Sequence, residues 1–96
     1  MSATEYVFAF DAAVLMQDVL DSLHLARLAA EALHGAERVE LGVSTAIDVV
    51  RREVAMQASN PAGTEMAIVF LGYARREFGP DAVRVRRVLL QPTPPS

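Results

Sequence analysis

The chain has 96 residues, of which 52% are hydrophobic, and a formal net charge of −3 at pH 7. This length fits one small domain with a modest core, and the hydrophobic share lies above the usual ~45–50%. There is no cysteine, which excludes disulfides, thiolate catalysis and cysteine metal sites, and fits a cytoplasmic location.

The chain begins with a predicted strand. Residues 5–10 read Glu-Tyr-Val-Phe-Ala-Phe, and their alternation places Tyr6, Phe8 and Phe10 on one face. Asp11 follows directly and is predicted to be the N-cap of the next helix, where its carboxylate would accept from the first free amide groups.

The longest predicted helix covers residues 12–33, which contain no proline or glycine and are rich in alanine and leucine. Its main apolar stripe recurs at steps of three and four, and a second apolar line runs along its other side. A helix with so little polar surface is expected to be covered from two directions, partly by a second copy of the chain. The residues predicted for this dimer interface are Met16, Val19, Leu23, Leu25 and Leu28. Gly35 is predicted to end the helix.

Residues 36–58 fit two interpretations, and the part from 37 to 43 suits a helix or a strand. In a single helix, Val43 and Val54 share one apolar face. In the other interpretation a strand alternates through residue 43 and a shorter, capped helix follows. A glycine inside a helix costs about 1 kcal/mol, but the longer helix explains more positions and is preferred. Both interpretations make residues 45–57 helical.

Residues 40–45 read Glu-Leu-Gly-Val-Ser-Thr and resemble the turn of a helix-turn-helix DNA-binding motif. This resemblance implies a nucleic-acid-binding regulator. The motif has a small residue four positions before the glycine, where this chain has Arg38, and an apolar residue six positions after it, where this chain has Asp48. The domain is also acidic, whereas a basic face drives DNA binding. We therefore expect an ordinary helix here and no nucleic-acid partner.

A third helix is predicted to begin at Thr64, as N-cap, and to end at Gly79. The run from 66 to 73 would also suit a buried strand, and the end signals favour the helix. Residues 83–90 predict a second strand, in which apolar and basic side chains alternate from Val83 to Arg86. Arg87 and Val88 break this alternation, which indicates either a β-bulge or a strand covered on both faces. We expect residues 1–91 to form one domain, followed by a disordered, proline-rich tail at 92–96.

Three arginines in the last strand form the main basic cluster. Arg84 and Arg86 are predicted to lie on the face opposite Val83, and Arg87 follows them. The first 61 residues hold nine acids and four arginines, net −5, whereas the rest hold three acids and five arginines, net +2. Since guanidinium groups bind carboxylates and phosphates at two points, the cluster predicts a site for an anion or an acidic protein partner. Alternatively, the arginines protect an edge strand from aggregation.

Catalytic and metal-binding patterns are sparse. Glu31 and His34 have the spacing found in four-helix di-iron proteins, but the chain lacks a complete second pair, so no metal or cofactor is predicted. It has neither a glycine-rich phosphate loop nor a nucleophile elbow. A pocket between the helices and the sheet would be lined by Tyr6, Phe8, His24 and Tyr73.

The predicted fold class is α+β, with a short N-terminal strand, three helices of which the first is longest, and a C-terminal strand. The terminal strands pair in a small sheet that a dimer can extend, and a mostly all-α helical bundle is the alternative. Charges interrupt every long apolar segment, so we expect no membrane contact, and the first five residues lack the basic group of a signal peptide.

The expected function is a non-enzymatic, homodimeric protein-interaction or regulatory module. The surplus of hydrophobic residues, the doubly apolar first helix and the open edges of a small sheet all favour self-association. The alternatives are a small enzyme or ligand-binding domain with a pocket between helices and sheet, and a nucleic-acid-binding regulator.

Overall fold

A computed structural model describes residues 3–90 of the chain. Its elements are β1 (Ala3–Phe10), α1 (Met16–His34), α2 (Ala36–Gly42), β2 (Val43–Asp48), β3 (Glu53–Ala58), α3 (Pro61–Phe78) and β4 (Val83–Leu90). The fold is α+β, and α1 is the longest of the three helices in this part of the chain. The tail predicted at 92–96 lies outside the described residues.

The four strands form one antiparallel sheet in the order β2-β3-β1-β4. The terminal strands β1 and β4 pair along their whole length, from Ala3 opposite Leu90 to Phe10 opposite Val83, which confirms the predicted pairing. Apart from the short helix α2, the element order is β-α-β-β-α-β, the ferredoxin-like or split β-α-β arrangement.

All three helices lie on the same face of the sheet. Each contributes to a single buried core together with Phe8 and Phe10 of β1, through Ala26 of α1, Val39 of α2 and Phe70 of α3. The Phe8 and Phe70 rings meet edge to face with their centroids 4.8 Å apart, a geometry that aromatic quadrupoles favour. The molecule therefore has two layers, and its core lies between them.

The predicted helix at 45–57 is wrong, because that segment forms the hairpin of β2 and β3. Its β-branched residues at steps of three and four imitate a helical stripe, but Val43 and Ile47 also fit the two-residue period of a strand. The preceding residues 36–42 are helical, so Gly42 ends a helix where the alternative interpretation had a strand. Since Val43 begins a strand, no recognition helix follows the segment that resembles a helix-turn-helix turn.

Two predicted helix caps are also wrong. Helix α1 begins at Met16 after Leu15, without a side-chain cap, so Asp11 lies several residues before it. Helix α3 begins at Pro61, and the Asn60 side chain accepts the Gly63 amide hydrogen at 2.9 Å, in the place expected for Thr64. Proline at the first helical position costs no hydrogen bond and fixes a suitable φ, which explains the earlier start.

The predicted helix ends are confirmed. Gly35 follows α1 at φ 91° and Gly79 follows α3 at φ 97°, backbone conformations that side chains bearing a Cβ rarely adopt. The helical interpretation of residues 66–73 is confirmed as well, since they lie within α3.

Candidate functional site

The sheet has one face that carries no helix within residues 3–90, because every described helix packs on the other face. Side chains alternate along each strand, so the pairing register identifies the residues on this second face. We call this surface the open face. It consists of Ala3, Glu5, Val7, Ala9, Ser44, Ala46, Asp48, Glu53, Ala55, Gln57, Arg84, Arg86 and Val88.

Charge is divided across the open face. One row runs perpendicular to the strands, from Asp48 to Glu53, then to Ala9 and Arg84. Arg86 continues the basic edge on β4, two residues further along the strand. The β2–β3 edge of the open face is therefore acidic and the β4 edge is basic.

The centre of the open face is small and apolar. Val7 is only 6% exposed although it points away from the core, and Ala55 lies directly opposite it on β3. The next row holds Glu5 and Gln57, whose side chains meet through a hydrogen bond donated by Gln57 Nε2 over 3.4 Å. A flat, apolar centre with charges at its borders is the usual layout of a protein interface.

A groove lies on the helix side of the sheet, between α3 and β4. We call it the α3–β4 groove; it encloses about 190 Å³ and is lined by Tyr6, Phe8, Ala67, Ile68, Leu71, Val85 and Arg87. Phe8 and Ala67 are buried, whereas Ile68 and Val85 are exposed. Arg87 supplies the one charged side chain among these lining residues.

The three predicted arginines therefore do not form one cluster. Arg84 and Arg86 belong to the open face, and Arg87 lies on the opposite side of β4, in the α3–β4 groove. The pairing of β1 with β4 is continuous from residue 83 to 90, so Arg87 and Val88 do not form a bulge. The alternation predicted for Val83 to Arg86 simply continues through them.

The sequence fits no family model, and neither the curated proteins nor the solved structures contain a match. Among residues 3–90, no helix is long and apolar enough to cross a membrane. In the same residues, no three histidine or acidic side chains are grouped so that they could hold a metal ion.

The residues predicted for a dimer interface on α1 fall into two groups. Val19 and Leu23 are 0% and 8% exposed and belong to the chain's own core, with Met16 packed partly buried against it. Leu25 and Leu28 are 55% and 48% exposed. Only the outer line of this helix, with these two leucines, is therefore open to a partner.

The residues predicted for a pocket are only partly brought together. Tyr6 and Phe8 both line the α3–β4 groove. His24 lies in a separate groove with Ile47, on the side of α1 that faces β2. Tyr73 packs against the core and lines neither groove.

Sequence reasoning missed the acidic edge of the open face. Asp48 and Glu53 flank the turn of the β2–β3 hairpin, and both lie in the segment that was predicted to be helical. The alternation of Val43, Thr45 and Ile47 was the signal that could have revealed the strand.

Proposed function

We propose that this chain acts as a homodimeric, non-enzymatic protein-interaction module in which two copies pack their open faces together. The observation that supports this most strongly is the division of charge across the open face, with Asp48 and Glu53 on one edge and Arg84 and Arg86 on the other. Such a surface is complementary to a second copy of itself, which a two-fold interface requires. The acidic partner expected for the arginines is then the acidic edge of the second copy.

The pairing register specifies how the copies would align. The axis that we propose is a two-fold axis parallel to the strands that passes between β3 and β1. It places β4 over β2 of the second copy, and each cross-strand row of one copy faces the same row of the other. Arg84 then faces Asp48 of the second copy, because both lie in the same row. By the same operation, Val7 faces Ala55 and Glu5 faces Gln57. The other two charged residues, Glu53 and Arg86, face the small residues Ala9 and Ala46, each beside the Arg84–Asp48 pair.

The twist of the sheets is compatible with these contacts. Packed sheets cross at about 30°, and with strands about 4.8 Å apart β4 lies about 7 Å from the axis. At this distance the crossing shifts β4 sideways from β2 of the second copy by about 4 Å, and an arginine side chain can span this shift. Arg84 and Arg86 have no ion-pair partner within residues 3–90, where the bridges join Arg27 to Glu31 and Arg51 to Asp48.

Other two-fold arrangements place like charges together. An axis perpendicular to the strands would put β4 over β4, so that the arginines of the two copies lie on facing strands. Pairing two β4 edges into one continuous sheet would also bring the arginines of both copies close together. Like charges across an interface are unfavourable, so the axis parallel to the strands is preferred.

The size of the open face predicts a dimer of moderate strength. Four strands and about six residues give a flat area of about 20 by 20 Å per copy at standard strand spacings. The two copies together would bury about 800 Å², which is below the ~1,600 Å² of a standard stable interface. We therefore expect a dissociation constant in the micromolar range.

Sedimentation equilibrium over a concentration series tests the proposal. The native chain is expected to dimerise, and Ala55→Arg is expected to remain monomeric because it places a charge in the apolar centre of the open face. Leu25→Arg is the matched control, since it places the same side chain on the outer line of α1 and should leave the dimer intact. A native chain that stays monomeric at several hundred micromolar would refute the proposal. A dimer lost in Leu25→Arg and kept in Ala55→Arg would instead locate the interface on α1.

A further inference from the structure

We propose that the α3–β4 groove binds a small aliphatic monocarboxylate, with its apolar chain in the groove and its carboxylate on Arg87. The groove lies on the helix side of the sheet, so it stays open when two copies pack through their open faces. Ligand binding here therefore goes beyond dimerisation and does not depend on it.

The walls and floor of the groove suit an apolar chain. Phe8 and Ala67 form a buried floor, and Ile68 is 60% exposed at the side, where a ligand would shield it from water. The volume of about 190 Å³ accommodates about six heavy atoms, taking the ~30 Å³ share of a water molecule in the liquid as the unit. This size matches a six-carbon chain, whose two carboxylate oxygens would lie outside this volume on the guanidinium of Arg87.

Arg87 supplies the charge that selects the ligand. It stands opposite Tyr6 in the register of β1 and β4, so its side chain lies on the same face as the groove lining. The ion pairs within residues 3–90 do not include Arg87, and no acidic residue lines the groove. Arg87 is exposed, so a carboxylate can reach its guanidinium, whose fork matches the two oxygens.

The neighbours of Arg87 on β4 indicate why its positive charge lies in the α3–β4 groove. The residues of β4 that flank Arg87 on the helix side are Val85 and Leu89, which are 39% and 57% exposed. Arg84 and Arg86 on the open face already protect the edge strand β4 from aggregation, so this protection does not require an arginine in the groove. Arg87 instead places a single positive group among exposed apolar side chains, which is complementary to a molecule with one anionic and one apolar end.

Titration of the ¹⁵N-labelled chain with hexanoate, followed by amide chemical shifts at neutral pH, tests this proposal. Saturable shifts are expected at Ala67, Ile68 and Val85, with a dissociation constant on the order of 1 mM for a ligand of eight heavy atoms. Hexanol, which has a similar chain and no charge, is expected to bind about tenfold more weakly.

Variants distinguish binding that depends on Arg87 from nonspecific hydrophobic binding. Arg87→Gln is expected to weaken hexanoate binding about tenfold and Arg87→Lys less, whereas Arg76→Gln, in the last turn of α3 and outside the groove lining, should not change it. The dispersion of the amide spectrum shows in each case that the variant is folded. Equal binding of hexanoate and hexanol, unchanged binding in Arg87→Gln, or no saturable shift at the groove would each overturn the proposal. Sedimentation of the same samples reports separately on the dimer.

Discussion

Gly63 and Gly72 both lie in α3, but the space available for a Cβ differs between the two positions. A Cβ on Gly63 would lie 2.2 Å from the backbone oxygen of Gly42 and 3.1 Å from the Cβ of Ala58. A Cβ on Gly72 would meet nothing within 4 Å. The close approach at Gly63 is where the N-terminus of α3 packs on the junction of α2 and β2.

Alanine substitutions at these glycines are therefore expected to act in opposite directions. Gly63→Ala should lower the free energy of unfolding by about 2–3 kcal/mol, because backbone must move to admit the methyl group. Gly72→Ala should raise it by up to about 1 kcal/mol, because alanine favours an exposed helix interior. Urea denaturation of both variants checks this, and similar effects at the two positions would contradict the packing described for Gly63.

The sequence alone predicted part of the fold correctly, and the wrong prediction of a helix at 45–57 has a reason in the local sequence. The alternation of Tyr6, Phe8 and Phe10 predicts a strand, and the structure confirms it. The glycines after α1 and α3 predict the ends of these helices, and both ends are confirmed. The β2–β3 hairpin turns through Val-Val-Arg-Arg at 49–52, without glycine, asparagine or proline. With no turn signal to interrupt it, the segment was taken for a helix.

At the scale of elements, Arg52 joins the β2–β3 hairpin to the loop that precedes α1. Its guanidinium donates hydrogen bonds to the backbone oxygens of Asp11, at 3.0 and 3.2 Å, and of Val14. Its backbone lies in the left-handed region at φ 58°, the one positive φ at a residue other than glycine within residues 3–90. Tertiary contacts thus replace the turn residues that the sequence lacks.

Arg52→Ala is expected to lower the free energy of unfolding by about 1–2 kcal/mol, because the hydrogen bonds of the guanidinium are lost. Arg52→Gly loses the same bonds but adopts the left-handed backbone without strain, and should be about 1 kcal/mol more stable than Arg52→Ala. Thermal or urea denaturation of both variants measures the difference. An alanine variant at least as stable as the glycine variant would show that the backbone at residue 52 is unstrained.

The candidate site depends on pairings that no local pattern contains. The alternation around Arg84 and Arg86 indicated their common face from the sequence. Their relation to Asp48 and Glu53 required the order of the strands, since these residues are more than 30 positions away and belong to the opposite half of the sheet. Sequence separation of this kind is why the acidic edge emerged only from the structure.

At the scale of the whole molecule, the two-layer fold leaves a separate surface for each of the two proposed functions. Helices cover one side of the sheet, and antiparallel sheets commonly leave the other side to water or to a partner. In this chain that side has an apolar centre and opposite charges at its two edges. The α3–β4 groove and the outer line of α1 remain accessible when two open faces meet.

Exchanging the charges between two variants tests the central claim most directly. One variant carries Arg84→Glu and Arg86→Glu, and the other carries Ala46→Arg and Asp48→Arg, because in the proposed dimer residue 84 faces residue 48 and residue 86 faces residue 46. In the proposed dimer each variant meets like charges in its own copies, while a mixture brings opposite charges together. Sedimentation should show each variant monomeric at concentrations where the native chain dimerises, and an equal mixture should form a heterodimer. Variants that dimerise as well as the native chain, or a mixture that stays monomeric, would contradict the account.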